Sequence, residues 1–148
     1  MAARQPDHLA LRIPRGRCAD GSIRYLDLTF AQLDRESDAW AQRLADAGIR
    51  RGTRVLLLVR PGLSLIALCF ALFKSGAVPV VIDPGMGLRA FLRCVARTRP
   101  EAMLAIPQGI WVARLFRRAF AATRVRLRVH AHEPLTLAAG ARAPVPFP

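Results

Sequence analysis

With 148 residues, 53% of them hydrophobic and 22% charged, the chain has material for one hydrophobic core and is too apolar for an intrinsically disordered segment. Its formal net charge is +13, and its longest apolar run, Leu63 to Phe73, is too short to cross a bilayer. The N-terminal stretch lacks the apolar centre of a secretory signal, so a cytoplasmic protein is expected.

Residues 1 to 8 read as frayed. Leu9 to Ile13 and Ile23 to Leu28 alternate as strands do, and Asp20-Gly21 between them is a tight-turn signal for an antiparallel hairpin. A helix opens at Thr29, which stands in capping-box spacing with Gln32. Phe30, Leu33, Trp40, Leu44 and Ala47 form its apolar stripe. Asp34, Arg35, Glu36, Asp38, Gln42 and Arg43 fall mostly on the other face, and Gly48 supplies the stop.

The centre of the chain is Arg51 to Met86. Val55 to Val59 and Val78 to Ile82 are short apolar runs bounded by Gly and Pro, and predict strands buried on both faces. Leu63 to Phe73, ending at Lys74-Ser75-Gly76, predicts the helix between them. Strand, helix and strand in about 30 residues make a right-handed βαβ unit with parallel strands. Gly87 to Thr98 predicts a second crossover helix, with Leu88, Phe91, Leu92 and Val95 inward and Arg89, Arg93 and Arg97 outward. Pro100 closes it, and Ala102 to Ile106 is the next parallel strand. Gln108 to Thr123 predicts a third helix, with Ile110, Val112, Leu115, Phe116, Ala119 and Phe120 facing the core. Val125 to Val129 alternates with arginines, as an edge strand does. Residues 1–136 are assigned to one domain portion and 137–148 to an incomplete Ala/Gly/Pro-rich connector.

Several motifs invite chemistry and stop short of it. Gly85-Met86-Gly87, between a strand and a helix, resembles a phosphate turn, but the full dinucleotide and P-loop patterns are missing. Asp83 sits at a strand's C-terminal end, where open α/β sheets place site residues, yet Asp-Pro-Gly is also ordinary turn chemistry. His8, His130 and His132 do not make a metal set. Cys18, Cys69 and Cys94 lack metal or redox spacing and are expected as reduced, buried thiols. Of the 23 basic residues, Lys74 is the one lysine. Between Arg89 and Arg128 ten arginines face a single acid, Glu101, a net +9. Such a face attracts polyanions, or is simply solvated with acidic partners elsewhere.

Read as a line, Thr29-Phe30 with Leu33, Gly48, Gly52 with Val55, Lys74 with Gly76-Ala77, and Val78-Pro79 resemble the opening of the AMP-forming acyl-activating superfamily, which includes acyl-CoA synthetases and adenylation domains. Over about residues 9 to 130 the wording is most similar to the fatty acid–CoA ligase and olefin β-lactone synthetase branch. The resemblance implies an α/β fold: a parallel sheet with crossover helices, the N-terminal part of the large domain, preceded by a β-hairpin. It implies ATP and Mg as cofactors of the full-length family, and a fatty or β-hydroxy fatty acid with CoA, or lactone closure, as its chemistry. The family's phosphate loop, adenine and ribose contacts and catalytic lysine match nothing in this chain. No catalytic, cofactor-binding or metal-binding residue is therefore assigned, and the chain is expected to be an inactive N-terminal fragment. Two alternatives remain: a non-catalytic α/β module that binds a partner chain, such as a separately made remainder, and a nucleic-acid or anionic-surface binder using the Arg89–Arg128 face.

Overall fold

The computed structural model describes residues 2–129. The expected connector 137–148 and residues His130 and His132 lie outside that range. The chain opens with a two-stranded antiparallel sheet, β1 (Leu9–Arg17) and β2 (Ile23–Thr29), joined through residues 18–22. The turn differs from the one expected. Gly21 has φ 84, and Arg99 alone among the described non-glycine residues has positive φ, so Asp20 is not a primed-turn residue. Instead Gly21 N–H bonds Cys18 O at 3.0 Å and Cys18 N–H bonds Ser22 O at 2.8 Å, the pattern of a three-residue loop closed by a left-handed glycine. The Asp20 carboxylate accepts from the Ser22 amide and hydroxyl and stiffens the loop.

Helix α1 (Phe30–Asp46) begins as its sequence predicts. Gln32 N–H donates to Thr29 Oγ1 at 3.3 Å, and Thr29 N–H donates to Gln32 Oε1 at 2.8 Å. Past its end Gly48 takes φ 80 and Ile49 N–H returns to Leu44 O, which satisfies carbonyls the helix leaves open.

The second sheet is all parallel, in the order β4-β3-β5-β6, from β3 (Arg54–Leu58), β4 (Val78–Val81), β5 (Ala102–Ala105) and β6 (Val125–Arg128). Its connections are α2 (Leu63–Lys74), a 3-10 turn (Pro84–Met86) leading into α3 (Leu88–Thr98), and α4 (Pro107–Leu115). From β3 the chain steps one way to β4, then returns across β3 to β5 and β6. Crossovers of one hand put their helices on opposite faces when the direction reverses. One core accordingly joins Trp40 and Leu44 of α1 and Leu68 and Leu72 of α2 to Val55, Leu57 and Leu104. The other joins Phe91 and Val95 of α3, Ala113 of α4 and Phe120 to Leu56 and Met103. Alternate residues of β3 and β5 feed the two cores, so these strands are buried on both faces.

Three expectations fail for physical reasons. Among the described residues strand β4 is an edge, paired to β3 alone in this sheet, and Val81 is 65% exposed, so its apolar run is not buried on both faces. Helix α4 ends at Leu115 instead of Thr123. At Phe116 the backbone leaves helical geometry (φ −106, ψ 50), and the following turns bring Phe120 into the core while Leu115 stays 77% exposed. Leu88, also expected inward, is exposed at the start of α3. Among the described residues strand β6 is the edge its alternation predicts: Val125 and Leu127 pack toward the α1–α2 core and Arg126 and Arg128 are exposed. Among the described residues no helix is long and apolar enough to cross a membrane.

Candidate functional site

The reversal of strand order has a chemical consequence. Where neighbouring strands send their connections to opposite faces of a sheet, a crevice opens beyond their carboxyl ends, and ligands of open α/β folds bind there. Here that place is beyond β3 and β5, and it holds a cavity of about 660 Å³. Its floor is Leu57 and Leu58 of β3. One wall is Val59, Pro61 and Leu65, another is Val81 and Ile82 at the end of β4, and α3 and α4 close it with Phe91 and Val112.

Pro61 and Pro107 shape this mouth. Pro61 follows β3 and releases the chain from the ladder before α2. Pro107 stands at the first turn of α4, where its missing N–H costs nothing. Gly109, inside that turn, permits close packing: a β-carbon there would lie 3.0 Å from Ala105 Cβ and 3.2 Å from Leu58 Cβ. Charged groups enter the lining at two positions, Arg60 and Asp83, both exposed at the mouth. The crevice suits an apolar chain bearing one polar end. Its lining does not match a magnesium triphosphate, and among the described residues no three His, Cys, Asp or Glu side chains group to hold a metal. No chemical step through ATP is assigned to these residues.

The motifs singled out in the sequence distribute as follows. Asp83 caps the 3-10 turn, accepting the Gly85 N–H at 2.8 Å, and also lines the mouth. That bond engages one amide of the phosphate-like turn, and Gly87, with φ 87, serves as N-cap of α3 without a side-chain cap. Of the three thiols, Cys18 is exposed at the hairpin tip, contrary to the expectation of burial, and Cys69 and Cys94 are half-buried. Burial raises the Cys69 thiol above its ordinary pKa. His8 is exposed.

Pattern reading missed two buried charges. Lys74 is inside the molecule, its ammonium 2.6 Å from Asp34 Oδ1 and 2.5 Å from Asp38 Oδ1, and 3.3 Å from the Asp34 carbonyl. Asp34 and Asp38 are one turn apart on α1, so a compact ammonium from α2 fits between them and ties the two helices. The signal was present: one lysine in a chain that otherwise uses arginine. Glu36, expected on the polar face, is 7% exposed, and its Oε2 is sealed from water without a partner. Desolvation pushes its carboxyl pKa up to about 7. Trp40, one turn further, is the core anchor its spacing predicts, with Arg43 over its ring.

Fold and crevice together make a parallel α/β layer with an apolar crevice at its switch point. The sequence pattern of the AMP-binding enzymes matches residues 1–142, and the chain belongs to that family. It is 44% identical over 126 residues to the olefin beta-lactone synthetase of Xanthomonas campestris pv. campestris, covering 84% of this chain and 23% of that protein. The olefin beta-lactone synthetase of Stenotrophomonas maltophilia is 45% identical over 120 residues, 80% of this chain and 22% of its own length. Among solved structures, a Mycobacterium tuberculosis fatty acyl CoA synthetase superposes with a TM-score of 0.69 at 18% identity, over 88% of this chain and 25% of that one, a likeness of fold. The chain thus spans less than a quarter of the curated relatives it matches.

Proposed function

We propose that this chain forms the opening layer of an AMP-forming ligase that activates a fatty or β-hydroxy fatty carboxylate as its adenylate, then passes it to CoA or closes it to a β-lactone. The observation that carries the reading is the 44% identity over 126 residues to an olefin beta-lactone synthetase. The apolar crevice at the switch point supports it, since its lining suits an aliphatic chain. ATP and Mg belong to this proposal as cofactors of the longer enzyme. Stabilising the charge that develops on an attacked α-phosphate takes several preorganised cations and amides, and the mouth of this crevice offers Arg60 alone as a cation. The described residues by themselves are therefore expected to supply positioning and no turnover.

The test is ATP–pyrophosphate exchange with long-chain and β-hydroxy acids, run on the chain alone and on a longer chain extended to the full length of its relatives. The longer chain is expected to exchange and the shorter one not to. Mass spectrometry of the products then separates thioester from β-lactone. Exchange by the 148-residue chain would refute its inactivity, and failure of the longer chain with every fatty acid would refute the substrate class.

A further inference from the structure

The α3–α4–β6 side of the sheet carries a feature that the ligase reading does not use. The two most exposed large apolar side chains of the described residues are Trp111, at 71%, and Leu115, at 77%. They stand four residues apart on α4, hence on one face one turn apart. Arg114, Arg117 and Arg118 are exposed beside them. Strand β6 adds to the same side. Val125 and Leu127 point to the α1–α2 core, so the alternation of a strand turns Arg126 and Arg128 toward the α3–α4 layer, where they too are exposed. Helix α3, in that layer, presents Arg89, Arg93 and Arg97 to solvent. The one acid of the span, Glu101, sits at the amino-terminal ends of the strands with Arg54 at 3.4 Å, and among the described residues none of these arginines forms an ion pair.

We propose that this side is a docking face for an anionic lipid surface, with Trp111 and Leu115 entering the headgroup boundary and the arginines around α4 on lipid phosphates. Charge complementarity selects a polyanion, and the apolar pair selects among polyanions. An indole beside an aliphatic side chain, ringed by cations, is the composition of an interfacial membrane contact. A nucleic acid would use the indole for stacking and has no use for the neighbouring leucine.

Tryptophan emission tests this directly. The second tryptophan, Trp40, is 4% exposed, so a change on adding vesicles reports Trp111. Phosphatidylcholine vesicles with about one-third phosphatidylglycerol are expected to blue-shift the emission and sediment with the chain, with retention falling as salt rises. Pure phosphatidylcholine is expected to bind far less. Replacing Arg114, Arg117 and Arg118 with Gln should weaken binding about a hundredfold, and replacing them with Lys should retain most of it. Trp111→Ser with Leu115→Ser should weaken sedimentation about tenfold or more; both positions face solvent, and an unchanged far-UV circular dichroism spectrum of the variant verifies its fold. Sedimentation indifferent to the serine pair overturns the proposal, as does duplex DNA binding as tight as vesicle binding, or no blue shift. It is likewise overturned if a longer chain, extended to the length of the relatives, loses the vesicle binding that the 148-residue chain has, because the face is then covered within the folded enzyme.

Discussion

Glu36 sets a pH dependence that can be worked from the structure. Its carboxyl is 7% exposed, one oxygen is sealed without a partner, and its pKa in the fold is about 7 against an ordinary 4.5. Below pH 4.5 the group is protonated in both folded and unfolded chains and costs nothing. Between pH 4.5 and 7 the unfolded chain ionises and the folded one does not, so stability falls as pH rises, and above 7 the loss is complete. Taken whole, the shift is worth about 3 kcal/mol. Residual water access and screening bring the expected loss to on the order of 1–2 kcal/mol. Glu36→Gln removes the titration and keeps the shape. Urea unfolding at pH 5 and pH 8 measures the difference. The variant is expected to exceed the parent only slightly at pH 5, where the loss has begun, and fully at pH 8, by about 1 M in midpoint for a slope near 1–2 kcal/mol/M. Parallel losses in parent and variant between the two pH values would refute the reasoning.

Three further outcomes follow from the geometry. Lys74→Met leaves the half-buried Asp38 beside an apolar side chain and should cost about 1–3 kcal/mol in urea unfolding, and adding Asp38→Asn should return part of it. Thr29→Ala removes the capping box and should cost about 1 kcal/mol, read as a lower thermal midpoint. Gly109→Val drives its side chain into Ala105 and Leu58, which should cost about 1–3 kcal/mol and weaken binding of a fluorescent fatty acid in the crevice; unchanged binding would separate the crevice from the acyl chain.

The order of elements was legible in the sequence because each rests on local rules. The capping box at Thr29 and Gln32, the glycine stop at Gly48, the proline and glycine breaks around β3 and β4, and the arginine alternation of β6 act within a few residues, and all stand in the structure. The family was legible for the same reason, since its residues form one line along the chain. What only the tertiary structure decided depends on neighbours distant in sequence. A run such as Val78 to Ile82 reads alike in a central or an edge strand, and its place is set by which strand takes the other side of β3. Helix α4 ends at Leu115 and the turns after it carry Phe120 into the core, a placement that periodicity alone does not contain. Lys74 is polar by type, and its burial comes from the packing of α2 on α1, which gives it two carboxylates; Glu36, polar too, is sealed with its Oε2 unpartnered. The crevice is the plainest case. Its lining comes from segments between Leu57 and Val112 that share no motif, and they meet because reversing the strand order opens the sheet at the carboxyl ends of β3 and β5.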